Sequence, residues 1–391
     1  MSMDQRQRKK FVGEVREQIL AEVLPDTNDC EQYPLEKMEG VQKHWRSESP
    51  SSIVSFIQCP MQWATRRYTD WPEMPPSYST FSVVGTLFHR IAELLYTEAA
   101  KDRTPKMFDD IFKEVWKVIE NPFDEQRYPG LVQDKELVEV QWLHENCTDK
   151  DAMGGWAFND ARHLTNTMRK QVRNCVENLP LFDGDFRDVP VMTTEEKLVT
   201  YMDGIRISGK TDRRIKSRKE PGKIIIDDYK TGKDPDVEAD ELSILDPKFI
   251  PVGMYMWMHT LIQSNLPYRE SRDIRWNALE ESNVSGARLL YVKGDRQYSF
   301  ACSEELLLTV DTLVEETISM TNMFFNDGLL PMPRLPEEGI KSNAGMCRFC
   351  PLSGICPMYE DVSFDDCLRG AISDSQEAAD EAWEKYGEDD E

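Results

Sequence analysis

The sequence predicts an α/β or α+β fold in which one central sheet is flanked by helices. Two observations support this prediction: amphipathic helical patterns occupy both ends of the chain, and a block rich in β-branched residues lies between them. The chain has 391 residues, of which 40% are hydrophobic and 30% are charged. That length and composition are typical of a globular protein with a large core.

Helical periodicity is strongest in the first half of the chain and near its end. Apolar residues recur at helical spacing over 11–24, and a shorter helix is predicted over 51–63, ending near Pro60. Longer helices are predicted over 85–100, 107–120, 155–179 and 303–325. We therefore expect residues 1–50 to form a helical extension ahead of a main domain over 51–370.

The block between these helices contains five predicted strands, over 196–201, 205–215, 223–229, 287–293 and 298–302. The third strand runs from Ile224–Ile226 directly into Asp227 and Asp228. These aspartates are either solvated charges at a strand end or part of a site. Side chains two apart on a strand share a face, so Asp228 and Lys230 project together.

A hairpin between the second and third strands brings two aspartates together. If Ile205–Ile215 pairs with Lys223–Tyr229 across a basic turn, Asp212 and Asp228 lie on neighbouring strands. Two close carboxylates repel each other, so they need a cation nearby or a raised pKa. Lys230 and a divalent metal ion are the cations we expect.

Residues Gly204–Thr211 also satisfy the P-loop pattern, which binds nucleotide phosphates. A P-loop lies between a strand and a helix. Here Ile205 and Ile207 alternate with polar residues, which predicts a strand through the supposed loop. The segment Asp212–Gly222 offers only Ile215 as an apolar residue, so it does not predict a helix. We therefore favour the strand.

The charge of the chain is unevenly distributed. Its formal net charge of −24 argues against a protein that coats nucleic acid non-specifically. The last 21 residues, Ala371–Glu391, hold nine acids and one lysine, which predicts a disordered acidic tail. By contrast, Ile205–Lys223 holds eight Lys/Arg residues and two acids, so contacts with a polyanion would be local.

The sequence predicts a cytoplasmic protein with no membrane association. No apolar stretch follows the basic N-terminal residues, and no segment reaches the ~18 apolar residues of a membrane span. Nine unevenly spaced cysteines argue against a secreted disulfide framework and for reduced thiols or metal ligands.

Several of these motifs together resemble the PD-(D/E)XK nuclease superfamily, and specifically its RecB-like branch. Gly209-Lys-Thr-Asp212, followed by Asp228-Tyr-Lys230-Thr-Gly, is similar to the strands that carry the catalytic residues of that branch. The segment Val84–Glu93 resembles its Gly-x-x-x-His helix, and Ser52–Pro60 resembles its opening motif. The glutamine that precedes a helix tyrosine in this branch has no counterpart near Pro251.

The resemblance implies a restriction-endonuclease-like core with a central mixed sheet, and a set of site residues. The implied ligands of Mg²⁺ or Mn²⁺ are His89, Asp212, Asp228 and the carbonyl of Tyr229. The implied catalytic residues are Asp212, Asp228, Lys230 and Glu196. Lys230 is expected to orient or deprotonate a water molecule.

The activity implied by the resemblance is that of a metal-dependent deoxyribonuclease. We expect an exonuclease that acts on single-stranded DNA ends in recombination, repair or phage DNA metabolism, where a helicase or recombination protein could be a partner. The alternative is a non-catalytic scaffold of the same fold that binds DNA ends or a partner protein.

The cysteines near the end of the chain form a compact motif. Cys347 and Cys350 are followed six residues later by Cys356, which leaves one position of a four-ligand site to be filled from elsewhere. The motif is similar to that of the iron–sulfur nucleases of the RecB-like branch, among them the AddB C-terminal domain and CRISPR-associated exonucleases. This resemblance implies a 4Fe–4S cluster with Cys59 as the distant fourth ligand, joining the two ends of the nuclease domain, and zinc is the alternative.

Overall fold

A computed structural model of the protein describes residues 3–24, 33–34, 47–68, 80–124, 131–132, 134–150, 153, 157–238, 242–264, 272–327 and 329–330. The described residues form two compact units, each built from separate stretches of the chain. The larger unit takes its residues from 1–17, 47–50 and 75–315, and the smaller unit from 18–46, 51–74 and 316–391.

The helices and strands are numbered along the chain. The α-helices are α1 (Gln5–Gln18), α2 (Pro50–Gln58), α3 (Pro60–Tyr68), α4 (Thr80–Thr97), α5 (Pro105–Glu120), α6 (Asp134–Asn146), α7 (Ala161–Glu177), α8 (Leu179–Asp183), α9 (Ile250–Gln263), α10 (Arg272–Glu280) and α11 (Glu304–Asp327). The strands are β1 (Tyr33–Pro34), β2 (Ser47–Glu48), β3 (Val191–Met202), β4 (Ile205–Lys216), β5 (Ile224–Lys230), β6 (Val284–Tyr291), β7 (Arg296–Ala301) and β8 (Leu329–Leu330).

A mixed six-stranded sheet forms the centre of the larger unit. Its order is β2-β4-β5-β6-β7, and β3 also pairs with β4. The pairs β2–β4 and β5–β6 are parallel, and the remaining pairs are antiparallel. The predicted central sheet with helices around it is therefore confirmed.

Two hairpins place the polar residues of this sheet. Asp203 and Gly204 join β3 to β4 with φ angles of 48° and 79°, the positive values that a two-residue type I′ turn requires. Strand β4 then pairs antiparallel with β5, as the sequence predicts, and the register places Arg213 opposite Asp227. Because Ile205–Lys216 is a strand, the residues of the P-loop pattern do not form a phosphate-binding loop.

Helices α4 to α7 form an apolar layer that packs on the sheet. Phe88 of α4 and Phe112 of α5 are fully buried there, and Tyr229 of β5 belongs to the same core. Helix α5 begins where Pro105 occupies its first turn, and the side chain of Thr104 accepts a hydrogen bond from the Met107 N–H. This layer fixes the position of α4 relative to β5.

A second group of helices contains α9, α10 and α11. Helix α9 packs against β3, β5 and β6. The buried carboxylate of Asp311 in α11 accepts hydrogen bonds from the indole N–H groups of Trp257 at 2.9 Å and Trp276 at 3.2 Å, and it pairs with Arg275. Helix α9 is absent from the predicted helices because a helix that is apolar on every side has no amphipathic periodicity.

The smaller unit contains α2 and α3, the short β1–β8 pair and the end of α11. The ring of Phe56 lies 5.1 Å from that of Trp63 and 6.3 Å from that of Phe324, measured between centroids. Helix α2 ends at Gln58, close to the predicted stop near Pro60. Pro60 then begins α3, so the single helix predicted over 51–63 is two helices. A proline suits that first position, since its fixed φ is already helical.

Several predictions lie outside the described residues, among them the acidic tail over 371–391 and the three clustered cysteines, Cys347, Cys350 and Cys356. Within the described part of the chain, no helix has the length and apolar character that a membrane span needs.

Candidate active site

The site centres on Asp212, which lies in β4 close to the end of β5. Its Oδ1 is 3.1 Å from Nδ1 of His89 in α4, and its Oδ2 accepts a hydrogen bond of 2.6 Å from the main-chain N–H of Tyr229. Burial alone would raise the pKa of Asp212, but His89, the Tyr229 N–H and Lys230 together lower it. Asp212 therefore remains a carboxylate inside the protein.

Glu195 of β3 also faces this site, and the sequence analysis did not select it. Its Oε1 lies 3.9 Å from His89 Nδ1, and its other oxygen contacts Lys210. The register places it opposite Asp212, because Thr194 pairs with Arg213 and Glu196 with Thr211.

The backbone of Glu195 has a φ of 51°, which an L-residue other than asparagine or aspartate rarely adopts. Such strain costs on the order of 1 kcal/mol, and strained residues cluster at functional sites. The residue with this positive φ is the one whose carboxylate lies beside His89 and Lys210.

The predicted catalytic glutamate, Glu196, lies elsewhere. It contacts Arg214, which also bonds to Nδ1 of His259 at 2.9 Å and to Thr193 at 2.9 Å. The structure thus places Glu196 in a separate polar cluster against α9, because adjacent strand residues point to different sides. Glu195 stands in the position that the sequence analysis gave to Glu196.

Asp228 and Lys230 project together from the end of β5, as the sequence predicts. Lys230 Nζ lies 2.6 Å from Asp228 Oδ2, and the aspartate side chain is almost fully buried. Burial raises the pKa of Asp228, Lys230 opposes this, and the charge of Asp212 raises the pKa further. The carboxylate pair therefore has the mutual repulsion that the sequence analysis expected.

The nearby acids raise the pKa values of the two basic side chains of the site, Lys230 and His89, against the effect of burial. Burial would lower the pKa of Lys230, but the charges of Asp228 and Asp212 raise it above its usual value. Likewise, burial would lower the pKa of His89, and Asp212, Asp228 and Glu195 raise it. Both side chains therefore stay protonated to a higher pH here than they would in water.

Two glycines of the sequence motifs, Gly85 and Gly209, lie where a neighbouring side chain leaves little or no room for a Cβ atom. A Cβ atom on Gly85 would lie 3.0 Å from Oγ1 of Thr231, so glycine lets α4 approach the end of β5. A Cβ atom on Gly209 would lie 2.7 Å from the Tyr255 ring. Burial raises the pKa of Tyr255, and the charges of Asp228, Asp212 and Glu195 raise it further, so this phenol borders the site.

The other face of the same strands is structural. Asp227 pairs with Arg213 at 2.6 Å and with Arg288 at 2.7 Å, and Arg213 also pairs with Asp183 at 2.6 Å. The guanidinium of Arg213 lies 4.4 Å from the ring centroid of Tyr96. Because Arg213 is fully buried, it is not available to bind a phosphate group from solution.

The donor set of the site fits a hard divalent cation. One ligand atom each from His89, Glu195 and Asp212 lies within 4.8 Å of the others. Carboxylate oxygens suit Mg²⁺ or Mn²⁺. A cation would offset the burial and the charge of Asp212, which raise the pKa of Asp228. Of the predicted ligands, His89, Asp212 and Asp228 come together, and the carbonyl of Tyr229 stays a prediction.

Substitution of Glu195 and of Glu196 should have different effects on metal binding. We expect Glu195→Gln to weaken Mn²⁺ binding at least tenfold, because a neutral amide replaces a carboxylate that faces the cation. The matched control is Glu196→Gln, which should leave the affinity unchanged. Isothermal titration with Mn²⁺ measures both variants, and equal effects would contradict the assignment of Glu195.

Comparison with protein-family models matches residues 47–357 to the family described as the PD-(D/E)XK nuclease superfamily. The match covers most of the chain and includes all the site residues described above. None of the curated proteins compared with the sequence matches it.

Proposed function

Because the chain belongs to the PD-(D/E)XK nuclease superfamily, we propose that it is a metal-dependent nuclease that hydrolyses phosphodiester bonds in DNA. The convergence of His89, Glu195, Asp212, Asp228 and Lys230 at one end of the sheet is the observation that supports this most strongly. A protein that served only as a scaffold would gain nothing from two repelling, buried carboxylates.

In this proposal the acidic residues and His89 hold the cation. Asp212 and Glu195 contribute carboxylate oxygens, His89 contributes Nδ1, and Asp228 lies beside them. When bound, Mg²⁺ or Mn²⁺ supplies a positive charge that stabilises the negative charge developing on the scissile phosphate. The N–H of Tyr229 fixes the orientation of the Asp212 carboxylate.

Lys230 acts as a positive charge and a hydrogen-bond donor. Burial would lower the pKa of Lys230, but the charges of Asp228 and Asp212 raise it, so the protonated ammonium can orient the attacking water. Asp228 holds the ammonium in place through the 2.6 Å contact.

We also propose that the enzyme is an exonuclease that prefers single-stranded ends, as in the RecB-like branch that its motifs resemble. End-labelled single- and double-stranded DNA, incubated with Mg²⁺, Mn²⁺ or EDTA, tests this proposal. We expect release of short products from linear single strands with either metal and none with EDTA. Cleavage of circular single strands would contradict the exonuclease, and no cleavage with any metal would contradict the nuclease.

A 4Fe–4S cluster is the second cofactor of this proposal. Of its four candidate ligands the structure describes Cys59, which is partly buried between α2 and α3. Its main-chain carbonyl accepts a hydrogen bond from the Trp63 N–H at 3.0 Å. Burial raises the pKa of Cys175 to about 12 and that of Cys302 to about 11, so both are protonated thiols at neutral pH.

The cluster has a direct test in purified protein. Cys350→Ala should remove iron and the brown colour and lower the melting temperature, because ligation would close a chain loop of several hundred residues. Cys302→Ala is the control and should keep its iron. Stoichiometric zinc without iron in anaerobically prepared protein would contradict the cluster.

A further inference from the structure

The outer half of the β3–β4 hairpin has two faces of different character. One face is buried and contains Leu198, Met202 and Ile207. The other is exposed or partly exposed, and we call it the hairpin face; it consists of Lys197, Val199, Tyr201, Arg206, Ser208 and Lys210. The alternation of a strand produces this separation, because successive side chains point to opposite sides.

The hairpin face is positively charged in a strongly acidic protein. It carries three cations, Lys197, Arg206 and Lys210, and no acidic residue, although the chain has 71 acids and 47 Lys/Arg residues. Lys197 and Lys210 lie directly opposite each other, and Lys210 also pairs with Glu195 at the start of the face. Among the described residues, Lys197 has no ion pair. A polyanion would supply the opposite charge that Lys197 lacks.

The hairpin face begins at the candidate active site. Glu195 of β3 and Asp212 of β4 lie opposite each other, and Lys197 and Lys210 lie two residues farther along the same strands. At about 3.3 Å per residue, the face continues for roughly 20 Å from Asp212 to Arg206. Arg206 and Tyr201 form the cross-strand pair near its far end, so a cation and an aromatic ring lie together there.

We propose that the hairpin face binds the sugar–phosphate backbone of one single strand of DNA and leads it to the active site. Lys197 and Arg206 contact phosphates, and Tyr201 stacks on a base, the combination by which proteins hold single strands without reading their sequence. The inference rests on the proposed nuclease function and adds the path of its substrate. Its basis is charge complementarity and continuity with the site.

The test is the binding of a fluorescent 12-nucleotide oligothymidine in EDTA, which prevents cleavage, over a range of salt concentrations. Lys197→Gln combined with Arg206→Gln should lower the salt slope by about 1.4, since each phosphate contact to a single strand contributes about 0.7. The matched control combines Lys216→Gln and Lys219→Gln, which removes two exposed cations at the opposite end of β4. This control should keep the wild-type slope.

Tyr201 provides a second measurement that does not depend on charge. Tyr201→Ala should weaken binding about tenfold, and Tyr201→Phe should bind as the wild type does, because the ring is retained. The path would be overturned if Tyr201→Ala and the Lys197/Arg206 double variant both bound DNA as the wild type does. It would also be overturned if only the Lys216/Lys219 control lost affinity. Neither result would contradict the proposed nuclease activity. A wild-type protein that neither binds nor cleaves DNA would overturn the proposed function itself.

Discussion

Replacing Asp228 with asparagine is expected to reduce DNA cleavage by at least about 10²-fold without destabilising the protein. The change removes a carboxylate from the cation site and removes the partner that holds Lys230 in place. Burial and the charge of Asp212 both raise the pKa of Asp228 in the folded protein, and a neutral asparagine removes both penalties. We therefore expect a melting temperature equal to or higher than that of the wild type.

Cleavage of labelled single-stranded DNA with Mg²⁺ or Mn²⁺, and thermal unfolding of the same preparations, measure the two effects together. Asp295→Asn is the matched control, because Asp295 is an exposed aspartate in the turn between β6 and β7. That variant should keep full activity. Full activity in Asp228→Asn would rule out the proposed mechanism, and a large fall in its melting temperature would show that Asp228 is structural.

Strong local patterns allowed the sequence to predict much of the sheet. The three isoleucines before Asp227 and the alternation in Ile205–Ile215 predict β5 and β4, and the structure contains both. The same pairing explains why Asp212 lies close to Asp228. By contrast, α9 was missed since a helix without a polar face carries no helical periodicity in its sequence.

Glu195 is a candidate site residue that the sequence-based prediction did not include, although the sequence contains a signal for it. A two-residue Asp-Gly turn fixes the register of a hairpin. Glu195 lies eight residues before Asp203, and Asp212 lies eight residues after Gly204, so the turn places the two acids opposite each other. The positive φ of Glu195 has no such signal, because the residue is not a glycine, asparagine or aspartate.

The two adjacent aspartates of β5 perform different roles because neighbouring strand residues face opposite sides of the sheet. Asp228 faces the candidate active site, whereas Asp227 is fully buried between Arg213 and Arg288. Burial would raise the pKa of the neighbouring Asp183, but Arg213 and Arg288 hold it below its usual value. Two arginines and two aspartates thus balance each other in the interior.

Asp227→Asn should therefore lower the free energy of unfolding by about 3–5 kcal/mol, because it leaves an uncompensated positive charge in the interior. At about 2–4 °C per kcal/mol, the melting temperature should fall by about 10 °C, whereas Asp228→Asn should not lower it. Combining Asp227→Asn with Arg288→Met should recover part of the loss, because the pair is then removed together. Cleavage measured well below the transition should persist, since Asp227 does not face the cation site. Equal melting temperatures for Asp227→Asn and the wild type would contradict a structural role for the buried charges.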